Sequence, residues 1–305
     1  MQKTDHRIDS GIAGLRLLLR NRRRANASGP PVLFVHGATY ASTLTFDYDA
    51  NGPSWMQRMA AAGRDVWCVD LPGYGGSDRP DAMRHPASAH PPLVDTDVAQ
   101  TCVRRAVDAV LALSGAKRVA LIGYSWGTAI CGAVASEMPA QIERLVLYGA
   151  LWLLDEPPAI SNGAQPGAWR EVSADDMVVR WCRGLDEAGI EAVGGLDVMK
   201  RWANDVIATT NDTVLRAPAG VVKDVIEHWG AGRPTYAPER IRAPTLVVVG
   251  AWDRETTPAQ GYAVYGRLTS AAERRYVTID AATHSALLET GRDTLFQVVG
   301  GFLGE

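Results

Sequence analysis

Three side chains in this sequence are of the types that together activate a hydroxyl nucleophile. Ser125 stands in Gly-Tyr-Ser-Trp-Gly at positions 123–127, Asp253 follows Gly250 by three residues, and His284 lies about thirty residues further on. A serine hydroxyl is a weak nucleophile at neutral pH, so it needs a base and an acid that orients the base. We therefore predict that Ser125 is the nucleophile, His284 the base and Asp253 its partner.

The segments around Ser125 predict how its hydroxyl is presented. The apolar run 117–122 predicts a buried strand, and residues 128–138 predict a helix that ends before Pro139. A strand, G-x-S-x-G and a helix form a sharp turn in which larger residues at the two glycine positions would collide. This turn exposes the hydroxyl beside the free N–H groups of a helix N-terminus.

The acid and the base are also predicted to stand at strand ends. Asp253 comes just after an apolar run at 244–250, and His284 comes just after the last predicted strand, 275–280. Strand ends at one edge of an open α/β sheet are where such sheets hold ligands. Asp155 and Glu156, after the preceding strand at 143–149, are the competing candidates for the acid.

Two backbone amides are predicted to stabilise the oxyanion that forms when the nucleophile attacks a carbonyl carbon. One is the amide of Trp126, the residue after the nucleophile. The other is the amide of Ala38, with Thr39 as the second choice. His36 precedes this loop, and we expect it to shape the loop through hydrogen bonds rather than to serve as a base.

The order of elements predicts the fold class. Apolar strands alternate with helical segments up to residue 150 and resume at 244, which indicates an α/β fold with a doubly wound, mostly parallel sheet. The run 15–20 predicts an edge strand. Residues 1–150 and 238–305 are expected to form this core, and residues 151–237 a helical lid insertion above the site. The lid helices are predicted around 173–185, 196–208 and 221–229, and substrate contacts at Tyr40, Phe46 and Trp152.

Composition limits the function classes. The chain has 305 residues, 47% of them hydrophobic, and a formal net charge of −3, which does not favour a nucleic-acid partner. The four cysteines lack metal-ligand spacing, and no secretory signal or apolar run of the ~20 residues needed to cross a bilayer is visible. We expect a cytoplasmic protein that acts on a small molecule, without a membrane partner. Its oligomeric state, a homodimer included, is left open.

Five motifs together resemble the α/β-hydrolase fold superfamily, and they span nearly the whole chain outside the predicted lid. They are Val-His-Gly-Ala at 35–38, Asp-Leu-Pro-Gly-Tyr-Gly-Gly-Ser at 70–77, the Ser125 motif, Gly-Ala-Trp-Asp at 250–253 and Thr-His at 283–284. The resemblance implies an eight-stranded, mostly parallel sheet, with Ser125, Asp253 and His284 as a triad. It also implies no metal and no organic cofactor.

The branch suggested by the resemblance is that of serine esterases acting on small-molecule carboxylic esters. The loop 35–48 and Trp126, next to Ser125, look similar to the corresponding segments of bacterial hydrolases that act on monoalkyl phthalates. A peptidase or amidase of the prolyl iminopeptidase type, a C–C bond hydrolase, and a non-enzymatic ligand-binding protein of the same fold are the alternatives. The sequence leaves open which ester is cleaved, and which lid arginine, of residues 170, 180, 183, 201 and 216, would recognise a substrate carboxylate.

Overall fold

An eight-stranded sheet forms the centre of the computed structural model, which describes residues 1–49, 52–154 and 166–304. The strands of this part of the chain are β1 (Gln2–Asp9), β2 (Arg16–Arg23), β3 (Val32–Val35), β4 (Val66–Val69), β5 (Val119–Tyr124), β6 (Ile142–Tyr148), β7 (Trp169–Val172), β8 (Leu215–Pro218), β9 (Thr245–Gly250) and β10 (Arg274–Ile279). The sheet order is β1-β2-β4-β3-β5-β6-β9-β10.

The six strands from β4 to β10 in the sheet order pair in parallel, whereas β2 pairs antiparallel with both of its neighbours, β1 and β4. The predicted fold class is therefore confirmed. The predicted edge position of the second strand was wrong, because β1 pairs along its whole length with β2 and takes the edge itself. The polar sequence of β1 gives no strong strand signal, and the strand is defined by its pairing with β2.

The α-helices of the described residues connect the strands. They are α1 (Ser42–Thr45), α2 (Trp55–Ala61), α3 (Thr96–Ser114), α4 (Trp126–Glu137), α5 (Ala174–Trp181), α6 (Glu187–Ala192), α7 (Leu196–Ala208), α8 (Gly220–Glu227), α9 (Pro258–Arg267) and α10 (Arg292–Leu303). None of them is both long and apolar enough to cross a lipid bilayer.

The central strands are apolar throughout because helices cover both faces of the sheet. Every residue of β3, β4, β5 and β9 is buried. One apolar cluster contains residues of α3 and α4, and a second, on other residues of the same strands, contains residues of α2 and α10. This packing fixes the carboxyl ends of β5, β6 and β9. The candidate catalytic side chains lie at this edge of the sheet.

The described residues 166–237, between β6 and β9, are called the insert below. Strands β7 and β8 pair as an antiparallel ribbon, and four helices, α5 to α8, complete the insert. Three of these helices coincide with predicted helical segments, whereas the ribbon and α6 were not predicted. Asp224 of α8 accepts hydrogen bonds from the amide and the hydroxyl of Thr96, at 2.7 and 2.5 Å, so α8 is tied to the N-terminus of α3.

Candidate active site

The sharp turn between β5 and α4 places Ser125 at the carboxyl edge of the sheet. Its backbone has φ 55° and ψ −120°, a conformation that costs a non-glycine residue about 1–3 kcal/mol. A Cβ at position 123 would overlap the carbonyl of Gly127, and a Cβ at position 127 would overlap the carbonyl of Val35. The two glycines of the motif therefore permit the turn sterically.

His284 and Asp253 lie side by side in the structure, although about thirty residues separate them in sequence. His284 Nδ1 is 2.8 Å from Asp253 Oδ2, and Asp253 is 2% exposed. The ring of His284 is mostly buried but reaches the cavity that Ser125 also lines. The three predicted residues are therefore brought together at one edge of the sheet.

Four donors hold the buried Asp253 carboxylate. The amides of Glu255 and Thr256 donate to Oδ1 at 2.8 and 2.9 Å, while the Thr256 hydroxyl and the His284 ring nitrogen approach Oδ2. A buried carboxylate with this many partners keeps a defined orientation. The competing acids, Asp155 and Glu156, lie outside the described residues.

Two buried tyrosines fix the backbone of His284. The hydroxyls of Tyr124 and Tyr148 both donate to the His284 carbonyl oxygen, at 3.0 and 2.7 Å. The Tyr124 ring lies against the imidazole, with 4.9 Å between the ring centroids, and stacks on Tyr148. Burial raises the pKa of both tyrosines, so their hydroxyls stay protonated and remain donors.

The loop after β3 lies against the nucleophile. A Cβ at Gly37 would be 2.9 Å from the Cβ of Ser125 and 3.4 Å from its hydroxyl oxygen. Within the described residues, the amides of Ala38 and Trp126 donate to no protein acceptor. Thr39 follows with φ 84°, a strained value that turns the loop. Two unpaired amides next to a serine hydroxyl are the kind of hydrogen-bond donors that an oxyanion hole requires.

His36 is buried, and its ring makes hydrogen bonds to the backbone of this loop and of the loop after β4. Its Nε2 accepts the amide hydrogen of Leu71 at 3.1 Å, which leaves the proton on Nδ1 for the Gly37 carbonyl at 2.6 Å. Burial lowers the pKa of His36 to about 4, so the ring is neutral at pH 7. Its position behind the loop matches the expectation that it shapes the loop through hydrogen bonds.

Ser125 and His284 open onto a cavity of about 40 Å³, room for a few water molecules. Its wall is strongly aromatic, with Tyr40, Tyr124, Trp181, Trp202 and Trp252. Of the predicted substrate contacts, only Tyr40 lines this cavity. Phe46 is wholly buried against the rings of Phe34 and Trp55, and Trp152 packs on Tyr236. The structure therefore does not bring Phe46 or Trp152 to Ser125.

The cavity wall carries more positive than negative charge. Among the described residues it includes three arginines, Arg180, Arg183 and Arg254, but one carboxylate, Glu255. Glu255 binds Arg180 at 2.9 Å and Arg183 at 2.6 Å. Burial, the largest single influence, would raise the pKa of Glu255, but its charged neighbours, Arg180 first, and the hydrogen bond from Arg180 together outweigh burial and lower the pKa. The third arginine of the cavity wall, Arg254, forms no ion pair among the described residues.

Arg170, on β7, is a second cation without a carboxylate partner in the described part of the chain. Its guanidinium donates to the Thr39 hydroxyl, which Arg180 also approaches at 3.5 Å. Its Nε is buried and has no hydrogen-bond partner. Burial lowers the pKa of Arg170, so the charge is held in an unfavourable environment beside the loop after β3.

Sequence reasoning missed several of these side chains. Tyr124 and Trp252 stand inside the quoted motifs, so their positions at strand ends were a signal that could have been used. Trp181 and Trp202 lie in the segment predicted to be a lid, but nothing in the sequence shows which of its tryptophans line a cavity. Glu255 and Thr256 lie two and three residues after Asp253, and residues close to a predicted acid are candidates for its hydrogen-bond donors.

Comparison with solved structures finds many chains of the same fold. A 2-hydroxy-6-oxo-6-phenylhexa-2,4-dienoate hydrolase from Rhodococcus sp. strain RHA1 superposes with a TM-score of 0.68 at 15% identity, covering 100% of this chain and 99% of the other. A serine hydrolase involved in carbazole degradation gives 0.66 at 18%, covering 99% of each chain. A thermophilic esterase from Thermogutta terrifontis gives 0.65 at 18%, covering 98% of each.

No curated protein matches the sequence significantly. At identities below 20% the structural likenesses establish the fold and leave the reaction open. The sequence profile of the alpha/beta hydrolase fold family, in contrast, matches residues 30–290, which is most of the chain. Together with the sheet order and the turn at Ser125, this match shows that the chain belongs to the alpha/beta hydrolase fold family.

Proposed function

We propose that this protein is a serine hydrolase that cleaves a small-molecule carboxylic ester through an acyl-enzyme. The observation that carries the proposal is the pair His284–Asp253, 2.8 Å apart, at the cavity that Ser125 lines. An imidazole oriented by a buried carboxylate can accept the serine proton as the hydroxyl attacks.

In the first half of the reaction, the Ser125 oxygen forms a bond to the ester carbonyl carbon while its proton passes to His284 Nε2. The carbonyl oxygen becomes an oxyanion, which the amides of Ala38 and Trp126 stabilise. His284 then gives the proton to the leaving alkoxide, and the C–O bond breaks. Water attacks the acyl-enzyme by the same route, giving its proton to His284, and the carboxylic acid leaves as Ser125 recovers a proton.

Residues 151–237 are proposed to act as a lid over this site. Trp181 and Trp202 belong to the insert and form part of the cavity wall. The cavity of about 40 Å³ is smaller than an ester with an alcohol and an acyl group, so we propose that part of the insert moves to admit substrate.

The substrate class proposed is an aromatic ester with a second, free carboxylate, such as a monoalkyl phthalate. The aromatic wall suits a ring, and the uncompensated cations Arg170 and Arg254 suit an anion. Of the other arginines considered from the sequence, Arg180 and Arg183 are paired with Glu255, and Arg216 lies within 4 Å of Glu171 and Asp212. Arg170 does not line the cavity beside Ser125, but it binds Thr39 in the adjoining loop. Of these four insert arginines it is the one without a carboxylate partner among the described residues, so we propose that it holds the substrate carboxylate.

The general proposal is tested with a chromogenic short-chain ester and an organophosphate. Wild-type protein is expected to hydrolyse the ester, and the organophosphate is expected to stop hydrolysis with an adduct on the peptide that carries Ser125. Ser125→Ala should lower kcat by roughly 10⁴-fold or more while the protein stays folded. An adduct on another peptide, or turnover only of prolyl amides or C–C substrates, would contradict the ester hydrolase proposal.

The substrate class is tested by comparing a monoalkyl phthalate with its dialkyl ester and with an alkyl benzoate of the same chain length. The wild type should prefer the charged monoester, and Arg170→Gln should remove that preference while turnover of the benzoate is retained. Arg233→Gln is the matched control, because Arg233 donates to the Glu227 carbonyl on the outside of the insert. A wild type that prefers the benzoate would leave the general esterase proposal standing alone.

A further inference from the structure

Helix α5 of the insert is fastened to the core by a buried carboxylate, Glu289. Trp181, the last residue of α5, donates its indole N–H to Glu289 Oε1 at 2.7 Å. The amide of Thr283 donates to Oε2 at 2.9 Å, and the Thr283 hydroxyl also donates to Oε1. Glu289 is 2% exposed, and burial raises its pKa although these three hydrogen bonds oppose the change.

A second carboxylate, Glu255, holds the same end of α5. Arg180 in α5 and Arg183 just beyond it bind its two oxygens at 2.9 and 2.6 Å. The backbone amide of Glu255 donates in turn to Asp253 Oδ1 at 2.8 Å. Glu255 therefore binds the insert through its side chain and Asp253 through its backbone amide.

Both carboxylates connect α5 to the proposed triad through very short paths. Glu289 reaches Thr283, the residue before His284, and Glu255 reaches Asp253 through its own backbone. If α5 moved away, Glu289 would lose its indole donor and Glu255 would lose both arginines. Buried charge that loses its partners is strongly unfavourable, so the loops that carry it would rearrange or admit water.

We propose that Glu255 and Glu289 are positioning residues that couple the closing of α5 over the cavity to the placement of Asp253 and His284. The coupling rests on the proposed serine hydrolase function. The closed insert supplies the donors that complete both carboxylates, and the completed carboxylates hold the loops of the acid and the base. An open insert admits substrate to a less ordered triad, and closure restores the arrangement in which Ser125 is activated.

The insert makes a different type of contact at its other end. Helix α8 is anchored by Asp224 to the hydroxyl and amide of Thr96, in α3, and the Trp126 indole also donates to that hydroxyl at 2.9 Å. These bonds join α8 to the elements around the nucleophile, whereas α5 is joined to the loops of the base and the acid. The coupling proposed for α5 is thus separable by mutation from the anchoring of α8.

The test measures the rate at which a fluorophosphonate labels Ser125, because labelling reports activation of the serine whatever ester is the substrate. Trp181→Phe removes the indole donor and keeps an aromatic ring, and Glu289→Gln removes the charge of the acceptor. Each variant is expected to slow labelling about 10-fold and to lower kcat on a short ester more than it changes KM. Trp169→Phe is the matched control, because it removes an indole donor of the insert that binds the His85 carbonyl instead.

The double variant Trp181→Phe/Glu289→Gln decides between coupling and simple destabilisation. If the two residues act through their shared hydrogen bond, the double variant is labelled about as slowly as the slower single variant. Multiplied effects, or labelling of Trp181→Phe at the wild-type rate, would overturn the proposal. If Glu289→Gln fails to fold, the double variant Arg180→Met/Arg183→Gln is used instead. It removes both partners of Glu255 and tests the second connection between α5 and the triad in the same way. A wild type that is not labelled at all would instead contradict the proposed function.

Discussion

Gly149 leaves the space that His284 occupies: a Cβ atom at position 149 would lie 3.2 Å from Cε1 of the imidazole and 2.8 Å from the hydroxyl oxygen of Thr256. Gly149 follows β6 directly, with φ 61°, a value that few side chains tolerate. A small residue at the end of one strand thus determines where the side chain from the end of another can stand.

We expect Gly149→Ala to displace the imidazole and lower kcat by roughly 10- to 100-fold, since shifts of about 1 Å cost that much in a preorganised site. Gly115→Ala is the control, because Gly115 also has a positive φ, 72°, but a Cβ there would meet nothing within 4 Å. Both variants should lose stability of about 1 kcal/mol from backbone strain. Ester turnover and urea unfolding of the two variants separate these effects, and equal turnover would show that the contact with His284 does not matter.

Asp253→Asn should lower kcat by roughly 10⁴-fold with little change in folding. The two backbone amides at Oδ1 would keep the asparagine oxygen on their side and turn its NH₂ group toward His284 Nδ1. The imidazole would then carry its proton on Nε2, the nitrogen that accepts the serine proton in the proposed mechanism. Steady-state kinetics on a short ester checks this expectation, with Asp155→Asn as the comparison. A severe loss in the second variant and a mild loss in the first would move the acid to residue 155.

The part of the site that the sequence predicts best is the part that backbone geometry dictates. The turn at Ser125 needs glycine on both sides, and Asp253 and His284 each follow a run of strand-forming residues. The order of the buried strands gave the fold class for the same reason, because a strand covered on both faces must be apolar along its whole length.

The parts that the sequence does not predict depend on contacts between distant segments. Strand β1 is polar and is recognised only through its pairing with β2. Glu289 lies in no recognisable motif. The positioning role proposed for it depends on the hydrogen bonds from Thr283 and Trp181, which only the fold brings to it. The sequence likewise does not distinguish Trp181 and Trp202, which line the cavity, from Trp152, which packs on Tyr236, since hydrophobicity alone cannot separate a buried tryptophan from one that lines a cavity.

His36 and Asp70 are predicted to give opposite pH dependences of stability. Burial lowers the pKa of His36 from 6.5 to about 4 and raises the pKa of Asp70 from 3.8 to about 6. The contribution of His36 is present above pH 6.5 and is lost as the pH falls to 4. The contribution of Asp70 is present below pH 3.8 and is lost as the pH rises to 6. Each is worth about 3 kcal/mol at most, so the two nearly cancel between pH 4 and 6.

Urea unfolding of His36→Gln and Asp70→Asn between pH 4 and 7 tests this cancellation. The free energy of unfolding of the wild type minus that of Asp70→Asn should decrease as the pH rises from 4 to 6. The same difference for His36→Gln should increase over that range. Parallel curves for the wild type and either variant would show that the buried group does not titrate in this window.

Trp202 of α7 is predicted to limit the size of the acyl or alcohol group that the cavity accepts. Its ring packs edge-on against Tyr40, with 4.6 Å between the centroids, and lies against Trp181, so it closes one side of the cavity. Trp202→Leu should raise kcat/KM for long-chain esters relative to short ones by about 10-fold, because a widened pocket gains apolar contact with the longer chain. Trp152→Leu is the matched control, since Trp152 is equally buried but packs on Tyr236. A series of p-nitrophenyl esters from acetate to decanoate measures the preference in the wild type and both variants. If Trp152→Leu shifts the preference and Trp202→Leu does not, the substrate lies against the Trp152 side, and the cavity beside Ser125 is not the acyl or alcohol pocket.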